Sequence, residues 1–289
     1  MFLNKWERPR RLWLMAVFLR LKNDRWAISS LLLVIILLII CFTAGYLAPF
    51  PDSFCGSFMS PPVWKHNGEI TFLLGTDYLG RDIFSRLLLG FPSTFGIAIL
   101  ITLLVAIIGS LLTLINLYFT RAYLLIRIIL NCLFIIPSLL LAISLILVLG
   151  NSSQNLILAI TLSLLPYFTI GLTHLFKKEL DKEYVIASQL DGASKHRILF
   201  EYILPNIVAQ ATYNLVRIFT FAILIITILN FLELGTSTDS NDWGTLMREY
   251  RTMVDINPWG LIAAGVMLSI CILSVYLLHA TLIRVFKVS

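Results

Sequence analysis

The feature that most constrains this chain is a set of six apolar runs, at residues 26–47, 94–118, 128–150, 156–176, 211–234 and 259–282. Each is about 20 residues or a little longer. At roughly 1.5 Å of rise per residue, a helix of that length reaches about 30 Å, the hydrocarbon thickness of a bilayer. Lipid offers no partners to backbone N–H and C=O groups, so runs this uniform must satisfy their own hydrogen bonds as helices. Composition agrees: 58% of the 289 residues are apolar and only 13% are charged, whereas soluble domains carry about a quarter charged residues. The expected fold class is all-α integral membrane, with six transmembrane helices. The third run has the least defined start, because Arg127 and Asn131 interrupt it.

Loop charges give the expected orientation. Lys5, Arg8, Arg10, Arg11, Arg20, Lys22 and Arg25 precede the first run. Arg121, Arg127, Lys177, Lys178, Lys182, Lys195 and Arg197 fall in the second and fourth connections, and Arg284 and Lys287 in the tail. That makes 16 on one side, against five on the other (Lys65, Arg81, Arg86, Arg248 and Arg251). Six spans then put both termini in the cytoplasm, and the net charge of +6 reads as topology and attraction to anionic lipid rather than nucleic-acid binding. Residues 1–25 are basic and amphipathic, as in a helix lying on the inner membrane face. The apolar run behind them is too long for a signal-peptide core and lacks a small-residue cleavage site, so an uncleaved anchor is expected. The organisation is thus a segment 1–25 and a six-span domain 26–289, with an external loop 48–93, an internal loop 177–207 and a second external loop 235–258.

Little here suggests catalysis. No Gly-x-x-x-x-Gly-Lys-Ser/Thr phosphate loop is present, so any ATP hydrolysis must come from partners. His66, His174, His196 and His279 lack metal-site spacing, and Cys41, Cys55, Cys132 and Cys271 suggest neither a metal set nor a disulfide. No catalytic residue, metal site or cofactor is expected.

The internal loop is the most informative segment. Physically it is two short amphipathic helices separated by Gly192, with Ser194 capping the second. Ala187 and Ser188 are small enough to let another body approach. Ile198, Leu199 and Tyr202 share one side of the second helix, which Pro205 is expected to end as the fifth span starts. Two readings stay open from the residues alone: docking onto another protein, or resting on lipid as an interfacial pair.

The spacing of Ala187, Gly192, Leu204 and Pro205 resembles the coupling segment of ABC-importer permeases. Its pattern is Glu-Ala-Ala, three residues, Gly, nine residues, Ile-x-Leu-Pro. Ile186 replaces the pattern's Glu, Ser188 its second Ala and Tyr202 its Ile. The resemblance implies that Glu183, Tyr184, Ala187, Ser188, Asp191, Gly192, Ala193, Ile198, Leu204 and Pro205 serve coupling to an ATPase.

A second likeness lies ahead of the second span. In the stretch from Leu74 to Arg86, Asp77 and Asp82 can accept from Arg81, Arg86 or nearby backbone, while Gly75 and Gly80 permit tight turns. Gly75, Thr76, Asp77, Gly80, Arg81, Asp82, Ser85 and Arg86 are together similar to the corresponding segment of peptide/nickel permeases of the second-subunit type. They read as a rigid outer cap, either supporting the fold or touching substrate. Residues 231–235 and Asp242-Trp243-Gly244 resemble the external re-entrant loop of the same family. Within it, Gly68 to Leu73, Lys182 to Ala187 and Leu190 to Ala193 most resemble the Sap-type permeases.

This resemblance implies an inner-membrane ABC-importer permease moving peptides, including cationic antimicrobial ones, with polyamine (putrescine) export as an alternative cargo. It also implies a homologous second permease (SapB-like), two cytoplasmic ATPases that bind the ATP, and a periplasmic substrate-binding protein. The competing class, a self-sufficient secondary transporter, predicts paired intramembrane carboxylates or helices broken near mid-membrane; every Asp and Glu lies in a loop or at a span edge.

One further pattern comes from the residues alone. Asn206, Gln210, Asn214 and Arg217 step by four, four and three, so they share a face of the helix entering span five. A charge at Arg217 inside the membrane should face protein or water. The stripe therefore lines the translocation path or the seam with a partner permease, or else forms a structural bond between helices.

Overall fold

The computed structural model describes residues 25–50, 56–118, 120–235, 240–255 and 257–287. The amphipathic reading of the basic N-terminal segment, like Cys55, lies outside the described residues. Helix α1 (Arg25–Leu47) leads through a long connection to α2 (Ile83–Gly90), a π-helical turn (Phe91–Gly96) and α3 (Ile97–Tyr118). Then come α4 (Thr120–Ile135), α5 (Ser138–Leu149), α6 (Ser153–Leu180), α7 (Glu183–Leu190) and the single turn α8 (Lys195–Arg197). A second π-helical turn (Ile198–Ile203) runs into α9 (Leu204–Phe231), followed by α10 (Trp243–Arg251) and α11 (Trp259–Lys287).

Among the described residues, five helical stretches are long and apolar enough to cross a bilayer: Arg25–Leu47, Ile83–Tyr118, Ser153–Leu180, Gln210–Phe231 and Trp259–Thr281. The expected third span differs. It is a pair of helices bent by 101° between Ile135 and Ser138. Pro137 has no N–H to give and adopts φ −53°, ψ 130°, and it disfavours helical backbone at Ile136 before it, so one helix stops and another starts. At about 1.5 Å per residue, the 16 residues of α4 and 12 of α5 reach only about 24 and 18 Å, each short of the bilayer core.

Two other boundaries move. The external loop drawn at 48–93 already turns helical at Ile83. Pro205, expected to end the second short helix of the internal loop, does not end it; the chain runs on unbroken into α9. The Leu204 N–H reaches back five residues to the Leu199 carbonyl, and this widened turn absorbs the proline that follows.

The core forms around α6. Of its most apolar stretch 67% is buried, against 28% for α1 and 22% for α11, which makes α6 the central helix and the others its shell. Close approach to α3 depends on Gly109: a side chain there would meet Phe168 Cδ1 at 2.6 Å. Thr113 Oγ1 donates to the Gly109 carbonyl at 2.8 Å in the same contact. Small residues at such a seam let helices pack by dispersion where lipid supplies no hydrophobic drive. Ser30 Oγ reaches Thr281 Oγ1 at 3.4 Å, tying α1 to α11.

Candidate functional site

At the end of the bundle where α6 stops, a short helix is held by a polar node. Glu179, in the last turn of α6, is only 6% exposed. It accepts from the Tyr184 hydroxyl at 2.5 Å and from Lys182 Nζ at 2.9 Å. That hydroxyl also accepts from Asn206 Nδ2 at 2.9 Å. One phenol thus joins α6, α7 and the start of α9. Burial, then the Glu179 hydrogen bond, pushes the Tyr184 hydroxyl well above the ordinary phenol range, so it stays a donor. Val185, with no exposed surface, plugs α7 into the core, and Ile198 and Leu199 do the same beyond the turn.

The turn itself is local chemistry. Gly192 has φ +82°, the left-handed region where an L side chain is strained. Ser194 caps the next helix by accepting from the Arg197 N–H. Ser188 bonds back to the Tyr184 carbonyl at 2.8 Å and is half-buried, as is Ala193. Glu183, Ala187, Asp191 and Leu204 are exposed and Pro205 is half-buried. The outer face of α7 also presents Ile186 (46% exposed) and Leu190 (84%) one helical turn apart, beside Ala187. We expect Tyr184→Phe to cost about 1–2 kcal/mol, the usual penalty for a buried carboxylate and amide losing a partner. Hydrogen exchange should quicken across 181–194 and leave α3 and α6 unchanged; uniform protection across the variant would refute the node.

At the opposite end lies a buried ionic cap. Asp77 Oδ2 receives Arg81 Nε at 2.7 Å and Arg86 Nη1 at 2.9 Å, while Asp77 Oδ1 accepts the Leu79 and Arg81 backbone N–H groups at 2.8 Å each. Glu249, from α10, completes the set: its Oε2 lies 2.6 Å from Arg86 Nη1 and 3.4 Å from Arg81 Nη2. Asn241 takes Arg86 Nε at 3.0 Å. Asp82 pairs with no arginine. It caps α2 by accepting from the Ser85 N–H at 2.9 Å and the Ser85 hydroxyl at 2.6 Å. Thr76 stitches the loop, donating to the Ser57 carbonyl at 2.6 Å and accepting from the Ser60 N–H at 2.8 Å. Gly75 (φ +81°) and Gly80 (φ +75°) press against the Ser60 and Gly56 carbonyls, where a β-carbon has no room. Trp243 Nε1 donates to the Leu87 carbonyl at 3.1 Å and its ring meets Phe91 edge-on, locking α10 to α2.

The stripe on α9 divides. Asn206 is spent on the Tyr184 node, and Asn214 is half-buried beside Gly171 of α6. Gln210 and Arg217 are exposed. Sequence reasoning missed Glu179, Asn241 and Glu249. No sequence signal pointed to the last, because Asp77 and Asp82 already offered two carboxylates for two arginines; only the structure shows Asp82 taken up by Ser85.

A helical membrane body, with a tethered, apolar-faced short helix at one end and a buried ionic cap at the other, is the architecture of a transport permease. The family model described as "Binding-protein-dependent transport system inner membrane component" matches residues 105–287, and the chain belongs to that family. As such a component it is a non-catalytic, membrane-embedded permease subunit of an ABC-type system. It is 38% identical over 245 residues, covering 84% of this chain and 83% of its relative, to the peptide transport system permease protein SapC of Escherichia coli. It is 34% identical over 252 residues (86% and 85%) to SapC of Haemophilus influenzae. Identity is 31% over 259 residues (89% and 86%) to the di/tripeptide transport system permease protein DppC of Pseudomonas aeruginosa.

Proposed function

We propose that this chain forms half of the pore of a peptide importer, paired with a SapB-like second permease. Cytoplasmic ATPases dock on the outer face of α7, and an external binding protein delivers peptide at the capped end. With the bent α4–α5 pair counted as one crossing, both termini lie in the cytoplasm, a reading supported by the 16-to-5 distribution of Lys and Arg. The chain needs no cofactor, because its partners bind the ATP. The observation that carries this reading is the exposed Ile186–Ala187–Leu190 face, held rigidly by Val185 and the Tyr184 node. A lipid-resting helix has no need of a buried polar anchor. ATP-driven closure of the ATPases would move α7, and the node would pass that movement to α6 and α9.

The test is a mild-detergent pull-down of the tagged chain with mass spectrometry, repeated with Ala187→Glu, followed by uptake of peptides and of putrescine in vesicles. A second permease and ATPases should co-purify, and Ala187→Glu should shed only the ATPases. A chain that purifies alone and moves solute without ATP would overturn the reading.

A further inference from the structure

Between α9 and α11 runs an open groove of about 480 Å³, lined by Arg217, Thr220 and Phe221 on one side and Ser269, Tyr276 and His279 on the other. Arg217 sits seven residues inside the Gln210 end of the apolar stretch, about 10 Å deep at 1.5 Å per residue. The six apolar runs of this chain contain a single carboxylate, Glu233 at the far edge of the fifth, and no ion pair engages Arg217 among the described residues. A fixed guanidinium at that depth is costly unless it meets water or an anion. His279 is stacked on Tyr213 at 4.0 Å, and its Nε2 is buried without a partner. Arg217 and Tyr276 thus line one groove together with the His279 ring, whose Nε2 is buried in its wall.

We propose that Arg217, with Tyr276 and His279, forms a carboxylate-reading site for the free C-terminus of a peptide in transit. The site rests on the peptide-permease reading above and makes this chain a determinant of specificity. Guanidinium binds carboxylate through paired, charge-assisted hydrogen bonds, which a C-terminal amide cannot reproduce. Gln210, exposed one turn nearer the end of α9, continues the polar face toward Arg217. By contrast Leu100, Leu103, Ile107 and Leu111 on α3 present the uniformly apolar surface that lipid requires. A dicationic polyamine meets like charge at Arg217.

The experiment reconstitutes the complete transporter, with its partner permease, ATPases and binding protein. It compares ATP-driven uptake of trialanine and trialanine amide into phosphatidylcholine vesicles, with and without phosphatidylglycerol. The same binding protein serves every variant, so a change in the acid-to-amide ratio reports on the pore. We expect the ratio to fall about tenfold in Arg217→Gln, the scale of one charged hydrogen bond, and to survive largely in Arg217→Lys. An unchanged ratio in Arg217→Gln overturns the site. Loss of the second permease from the purified Arg217→Gln complex assigns Arg217 to the seam and overturns it too, as does an uptake defect that follows phosphatidylglycerol instead of peptide. Wild-type vesicles that take up neither peptide would sink the peptide-permease reading itself and this inference with it.

Discussion

Glu249→Ala should destabilise the membrane domain by about 3–5 kcal/mol, the penalty for stranding one partner of a buried ion pair. The side chains of Arg86, Asp77 and Glu249 are 4%, 0% and 8% exposed, so water cannot replace the lost carboxylate. Arg86 would keep the neutral Asn241 and a single carboxylate, Asp77, which Arg81 already shares at 2.7 Å. The damage should spread, because Glu249 belongs to α10, and α10 is also where Trp243 and Tyr250 enter the core. Burial pushes the Tyr250 hydroxyl well above its ordinary range, so that side chain cannot supply a compensating anion. Unfolding in mixed micelles measures the loss. Glu249→Gln, which keeps hydrogen-bonding atoms but not charge, should lose less. The double variant Glu249→Leu with Arg86→Met should recover part of the deficit, since no charge is then left unpaired. A Glu249→Ala penalty below about 1 kcal/mol would mean that the cap behaves as an exposed surface pair.

What could be read ahead of the structure follows from how far each signal reaches. Span length and loop charge are properties of single segments, and the five unbroken stretches lie where the apolar runs do. The chain's prolines show where that ends. Pro166 sits inside α6, which stays helical through it, and Pro92 and Pro205 fall at π-helical turns inside continuous helices. Only Pro137 coincides with a 101° bend. In α6 the neighbours bury most of the surface and hold the helix in line. Around Pro137 the flanking Ile135 and Ile136 are exposed, so nothing opposes the break, and hydropathy is the same on both sides of it. Gly192 and Ser194 announced the turn of the internal loop because their chemistry is local. Glu249 could not be paired with Arg86 in advance, being 163 residues away, and the split of the α9 stripe depends on Gly171 and Tyr184 in other elements.

Leu190→Glu should separate docking from folding. Leu190 is 84% exposed and touches nothing the fold requires, while Val185 on the opposite side of α7 is fully buried. An exposed substitution of this kind changes stability by about 0.5 kcal/mol or less. If α7 is the ATPase anchor, the same carboxylate enters an apolar pocket unpaired, at about 2 kcal/mol or more. That corresponds to a loss of affinity of about 30-fold or greater. Melting of the purified variant should then match wild type, while ATPase recovery and ATP-driven uptake collapse together. Val185→Glu is the contrast: it should lose melting temperature and docking alike, because it removes the plug that holds α7 in place. Gly192→Pro should resemble Val185→Glu, since proline cannot adopt φ +82°. Should Leu190→Glu retain its ATPases at wild-type level, the apolar face of α7 would have to be assigned to lipid, and the coupling contact sought around exposed Phe200, stacked on His196 at 4.5 Å.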